Sequence, residues 1–395
     1  MNDHDEKKEK MKKLRTGLVL LCLSAAILMP AVFSCFRFIK PLSGVTGTAD
    51  LSQITAGGFM DGSAQNLLNA YVTENLPGRA PMIRLRNQLI FSLFDKSTNS
   101  NMLLGVDKYI FEKSFLYRYE NIDKPTDEKT VRASFDCMKV FRDKLKENGT
   151  ELFVFITPSK PRYCEEKIED KYKQLGYYKG EKGNYELLKE VLSDYDFHVF
   201  DGIEYVDKQR KEGGQAATYP LFQPTGTHWT WTLGLDTALA FKDYMQSVGD
   251  YHFPKGHQVI FPSEEPVFPD ADIYDSMNIL RKPAGNYFVS DIWLDEDIPD
   301  EEKPNVLMRG CSFMGQSIAT LISSGYFHQD VYMENTLHMS ERMTEASNFS
   351  SYDEVEIGEE LKRSDIVIIE INEAHTYNIG MGMMEYVIEH PECLE

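Results

Sequence analysis

The 395-residue sequence predicts an α/β protein with a mostly parallel sheet covered by helices on both faces, preceded by an N-terminal transmembrane helix. From residue 127 onward, helices with apolar residues at three- and four-residue spacing alternate with short, continuously apolar runs, the pattern of strand–helix units buried on both sides. Upstream, residues 16–36 (TGLVLLCLSAAILMPAVFSCF) carry no charge over 21 positions, enough to span about 30 Å of hydrocarbon as a helix. Hydrophobic residues at 42% with 26 Gly and 17 Pro belong to a packed chain and exclude a disordered one.

Residues 1–15 hold Lys7, Lys8, Lys10, Lys12, Lys13 and Arg15, whereas 41–78 hold no Lys or Arg. The positive-inside rule therefore predicts a cytoplasmic tail (1–15), a single-pass anchor (16–36) and an extracytoplasmic remainder at the cell membrane. Two other readings of the segment stay open: a cleaved secretory signal, and a lipoprotein with Cys35 at its cleavage site. Each places the bulk of the chain outside. Residues 37–58 are mostly small and polar and read as a tether to a domain over 59–395.

Along that domain two helices are expected over 59–75 and 81–94, broken at Pro77-Gly78, then a hairpin over 103–111 turning near Val106-Asp107. A helix over 131–148 precedes a strand over 152–157 (LFVFIT), and a helix over 185–192 precedes a strand over 197–200. A helix over 233–248 leads into a Pro-rich, acidic stretch, 251–305, that reads as an insertion. Strands over 305–308, 331–333 and 366–371 (IVIIEI) complete the set, the first running into Arg309-Gly310-Cys311-Ser312-Phe313 and a helix to residue 323.

With 42 Lys+Arg against 62 Asp+Glu the net charge is −20, which excludes an ordinary nucleic-acid binder. No CxxC pair, HExxH or Cys/His cluster is present, so neither a metal nor a cofactor is expected. Cys137, Cys164, Cys311 and Cys393 are too sparse for a disulfide scaffold, and buried free thiols are favoured over a Cys137–Cys164 bridge.

Ligands of parallel α/β sheets sit at the carboxyl ends of strands. Ser312 is at such an end and is a candidate nucleophile, with Gly310 and the backbone of Ser312 as candidate oxyanion donors; the bland alternative is a helix cap. Cys311 is the neighbouring alternative nucleophile. His228, in Thr225-Gly226-Thr227-His228-Trp229 just before a helix, is the candidate base, and Trp229 a candidate wall of the substrate pocket.

Gly-Thr-His-Trp followed by Gly234, then Gly310-Cys311-Ser312-Phe313 at a strand end, resembles the SGNH-like O-acetyltransferases of the alginate AlgJ/AlgX type and the related DHHW proteins. Asn75-Leu76-Pro77-Gly78-Arg79, the hairpin from Gly105 to Phe111, and Thr157-Pro158-Ser159-Lys160 resemble further motifs of that family in the same order. The resemblance implies an SGNH-hydrolase-like three-layer sandwich, with Ser312 as nucleophile and His228 as base. It also implies acetyl transfer to a cell-envelope or secreted polysaccharide, with a multi-pass membrane O-acyltransferase supplying the acetyl groups. Lys160 and Arg162 are candidate contacts for an acidic sugar. One departure matters: the family's Asp-x-His-Trp acid falls at Gly226, and Asp201, Glu204 and Asp207 are the substitutes that stand near in sequence. Two alternatives stand beside this reading: a carbohydrate esterase, with water replacing the sugar at the same Ser and His, and a catalytically degenerate glycan-binding or assembly protein, which Gly226 in place of Asp supports.

Overall fold

The computed structural model describes residues 3–34, 42–43, 49–76, 78–281, 285–328, 330–333, 338–341, 345–348, 352 and 357–394. Cys35, much of the expected tether and Pro77 lie outside the described residues. The chain forms two compact units, Met1–Asn99 with Asp275–Lys282, and Ser100–Tyr274 with Pro283–Glu395.

In the first unit a single helix runs over Asp3–Ser34, followed by Gly58–Asp61, Ser63–Asn75 and Arg79–Phe94. The expected transmembrane helix is corrected here. Among the described residues no helix is long and apolar enough to cross a membrane, so the single-pass topology and the location drawn from it fall as well. The apolar run is not an element of its own: the helix opens at Asp3 and carries charged residues through Arg15, so nearly half its length is polar.

The second unit is built on a seven-stranded sheet. Its strands are β3 (Glu151–Thr157), β4 (His198–Asp201), β7 (Val306–Arg309), β8 (Asp330–Met333), β9 (His338–Glu341), β10 (Glu345–Asn348) and β11 (Ile366–Asn372). The spatial order is β10-β9-β8-β7-β11-β3-β4. Strands β8, β7, β11, β3 and β4 run parallel, and β9 and β10 fold back as an antiparallel edge that the sequence reading does not contain. Two antiparallel pairs lie apart from it, β1 (Met102–Leu104) with β2 (Ile110–Glu112), and β5 (Lys255–Ser263) with β6 (Tyr287–Glu296).

Alternation along β3 sorts its side chains into two layers. Phe153 and Phe155 face a core with helix Trp231–Val248, while Leu152, Val154 and Ile156 face another with helices Glu128–Glu147 and Asn184–Leu192. Burial on both faces is why β3 reads as a continuous apolar run over 152–156 and β11 as one broken only at Glu370. Cys137 lies against the second core and Cys164 in the first; both are free thiols, as are Cys311 and Cys393.

Candidate active site

The site forms where β7 and β11 end. Strand β7 delivers Arg309, Gly310 and Cys311 into a 3-10 turn over Ser312–Gln316, with the short helix Ile318–Ser323 after it. The expected continuous helix is broken at Ser317, whose backbone departs to φ −134°, ψ −103° and whose hydroxyl donates to the carbonyls of Phe313 and Met314. Cys311 is buried, its amide donates to Glu370 Oε2 at 2.8 Å, and burial with the neighbouring Glu370 carboxyl pushes its thiol well up. A thiol held protonated is a poor nucleophile. Ser312, one residue on, is partly exposed, and its N–H has no acceptor among the described residues.

His228 lies on the approach to helix Trp231–Val248, which Thr230 caps by accepting from Leu233 N. Its Nε2 is 2.7 Å from Ser312 Oγ and its Nδ1 is 2.6 Å from Asp272 Oδ2. The His228 ring rests on Phe313, 4.9 Å between centroids. Trp229 is fully buried, and its Nε1–H donates to the Phe313 carbonyl at 3.0 Å. It therefore fastens the histidine segment to the serine turn and cannot contact a substrate. Gly234 fastens the same two segments: a Cβ there would sit 2.1 Å from the Gln316 carbonyl oxygen.

The carboxylate missing at Gly226 arrives from elsewhere. Asp272 opens the helix Asp272–Ser276 inside the Pro-rich stretch, and its Oδ1 accepts from the amides of Thr227 (2.9 Å) and Ile273 (2.7 Å). With one oxygen held by the backbone and the other on His228, its orientation is fixed. Gly226 is what admits it. A Cβ at 226 would lie 2.6 Å from the Pro269 carbonyl oxygen and 3.0 Å from that of Asp270, in the segment that brings Asp272 in. Glycine and relocated acid are thus one structural exchange. The substitutes read from the sequence are elsewhere: Asp201 caps the helix Gly202–Glu212 and accepts from Tyr185, and Glu204 pairs with Lys189.

Lys160 is also not a substrate contact. It is 2% exposed, and its ammonium donates to the carbonyls of Ile110 (2.6 Å), Pro224 (2.9 Å) and Gly226 (2.8 Å). Burial lowers its pKa to about 8, which leaves it charged at neutral pH with three donors matched to three acceptors. Two of those carbonyls belong to the loop that ends in His228, so Lys160 anchors that histidine. Arg162 is bound to Glu373, with Nε at 2.7 Å and an Nη2 contact at 2.6 Å to the same oxygen. Gly310 is buried, packed against the Glu370 side chain.

Glu370 is the other residue missed in the sequence. It is fully buried beneath the turn, holds the Cys311 amide and accepts from the Thr157 hydroxyl, and burial raises its pKa to about 7. A carboxylate inside the apolar run of β11 was its signal. Asp272 left none beyond its place after Pro269.

No protein-family model and no curated protein matches the chain. Among solved structures it is similar to the O-acetyltransferase domain of Pseudomonas putida AlgJ, at 15% identity over 70% of this chain and 92% of that one, with a TM-score of 0.43. It is also similar to Pseudomonas aeruginosa AlgX, at 14% identity over 72% of this chain and 66% of that one, TM-score 0.37. A third similar structure is Bacillus cereus PatB1, at 9% identity over 70% of this chain and 96% of that one, TM-score 0.44. AlgJ and AlgX typify the family that the motifs resemble.

Proposed function

We propose that the protein is an O-acyltransferase that passes acetyl groups to carbohydrate hydroxyls through an ester on Ser312. The observation that supports it is the hydrogen-bonded line Asp272–His228–Ser312, set at the carboxyl end of a parallel strand. In this reading Nε2 of His228 takes the Ser312 proton as Oγ attacks the donor's acyl carbon. Asp272 keeps the second proton on Nδ1 and stabilises the imidazolium. The tetrahedral oxyanion receives the Ser312 N–H. The bond to the donor's leaving group then breaks, and the leaving group departs with the proton from Nε2. A sugar hydroxyl repeats the sequence in reverse: His228 removes its proton, its oxygen attacks the acetyl-Ser carbon, and the proton returns to Ser312 Oγ.

Water in place of the sugar gives the esterase reading with the same residues. The degenerate reading drew its support from Gly226, and Asp272 removes that support. The test is incubation with p-nitrophenyl acetate, with and without oligosaccharide, followed by intact-protein mass spectrometry. An acetyl group on Ser312, absent in Ser312→Ala and passed to the sugar on its addition, is the expected result. A burst with product acetate alone favours the esterase, and no adduct at Ser312 overturns acyl-Ser chemistry.

A further inference from the structure

A second concavity lies along the same edge of the sheet. Its volume is about 320 Å³, and it is bounded by residues following β3 (Ser159, Arg162) and β11 (Glu373, Ala374). Since β11 neighbours β7 and β3 comes next, strand spacings of about 4.8 Å put it roughly 5–10 Å from Ser312. Phe115 joins the two places: it lines the cleft, and its ring packs 5.8 Å from that of Phe313, the residue after the serine.

The walls are aromatic and polar. Tyr119 and Tyr185 are half-buried, with the Arg162 guanidinium over both rings at 5.9 and 4.5 Å. Such amphipathic rings offer a flat apolar face beside hydrogen-bonding groups, which suits the alternating C–H and O–H surface of a sugar. The charges decide which sugar. Arg162 is neutralised by Glu373 and lies 3.8 Å from Glu186; Arg118 donates to the Ala374 carbonyl at 2.8 Å and stacks on Tyr377. Glu120 and Glu165 line the cleft as well, so four carboxylates face two guanidiniums in a chain of net charge −20. A polyuronate would meet like charge here, which disfavours its binding.

We propose that this cleft is the acceptor subsite of the acyltransfer site and that it takes an uncharged glycan while rejecting polyuronates. The acceptor role rests on the acyltransferase reading; the binding does not. The test is titration calorimetry at low salt with the full-length Ser312→Ala protein, using xylohexaose and chitohexaose against a hexamer of galacturonate. A neutral hexamer should bind at least about tenfold more tightly than the uronate, equivalent to ~1.4 kcal/mol. Tyr185→Ala should weaken that binding. The isosteric pair Glu120→Gln with Glu165→Gln, which removes charge without removing volume, should raise the affinity for the uronate. Equal or tighter binding of the uronate, no binding of any hexamer, or indifference to both sets of variants overturns the proposal. Because Ser312→Ala performs no chemistry, loss of the acyl-Ser reading and loss of this subsite register in separate experiments.

Discussion

Replacing Asp272 by Asn tests the chemistry most sharply. Asn is isosteric and keeps an oxygen that can accept from Thr227 N and Ile273 N, so the loop retains both backbone ties. What changes is the group at Nδ1. An amide N–H facing Nδ1 forces the imidazole proton onto Nε2, where it points at Ser312 and can no longer accept the serine proton. The lost carboxylate also leaves the imidazolium without its counter-charge. Opposite charges about 4 Å apart at an effective dielectric near 20 attract by ~4 kcal/mol, which at ~1.4 kcal/mol per decade is about 10³ in rate. The corresponding change in a serine protease costs about 10⁴. We expect kcat/KM for p-nitrophenyl acetate to fall by about 10³ to 10⁴ with the urea midpoint little altered. Asp201→Asn, in the helix cap, should leave kcat/KM at the wild-type value. A fall of less than about tenfold in Asp272→Asn would refute the assignment of Asp272 as the orienting acid.

Gly226→Asp restores the acid of the family motif but places a Cβ 2.6 Å from the Pro269 carbonyl; it should lower both activity and stability, the latter by about 1–3 kcal/mol, in steady-state assays and urea unfolding. Lys160→Met strands three carbonyls and should cost about 3 kcal/mol or more in the same unfolding experiment, with a fall in kcat because the His228 loop loses its anchor. Glu370 keeps its proton in the native protein up to a pKa of about 7 against a reference of 4.5. Between those values the unfolded chain is ionised and the native one is not, so stability falls as pH rises, by about 3 kcal/mol in all. Glu370→Gln should flatten that slope relative to wild type. Buried Asp270, also raised to about 7, has the same sign and is common to both proteins, so the difference between their curves isolates Glu370.

The strands were legible because burial on both faces keeps a run such as 366–371 apolar at every position but Glu370, and Ser312 and His228 because short motifs preserve their order. Other features were not. Asp272 stands 44 residues beyond His228 in a stretch without periodicity, and only the folded loop brings it near. Lys160 belongs to a residue type that is rarely buried and Trp229 to one that often keeps an exposed edge, and both are held inside by carbonyls contributed by distant segments. The apolar N-terminal run gave length and hydropathy but not the boundary of the helix that contains it, which extends back to Asp3.

The exchange between Gly226 and Asp272 bears on how chains of this kind are sorted into active and inactive. A pattern keyed to the acid two positions before the histidine scores this chain as a dead enzyme. In the folded protein the charge stands 2.6 Å from the imidazole, supplied by a separately encoded loop. An acid carried on such a loop sets conditions on the segment that bears the histidine: position 226 has no room for a Cβ, and the Thr227 amide must reach Asp272. For a protein engineer, residues 267–272 and the loop before His228 are therefore one unit, to be exchanged together or not at all.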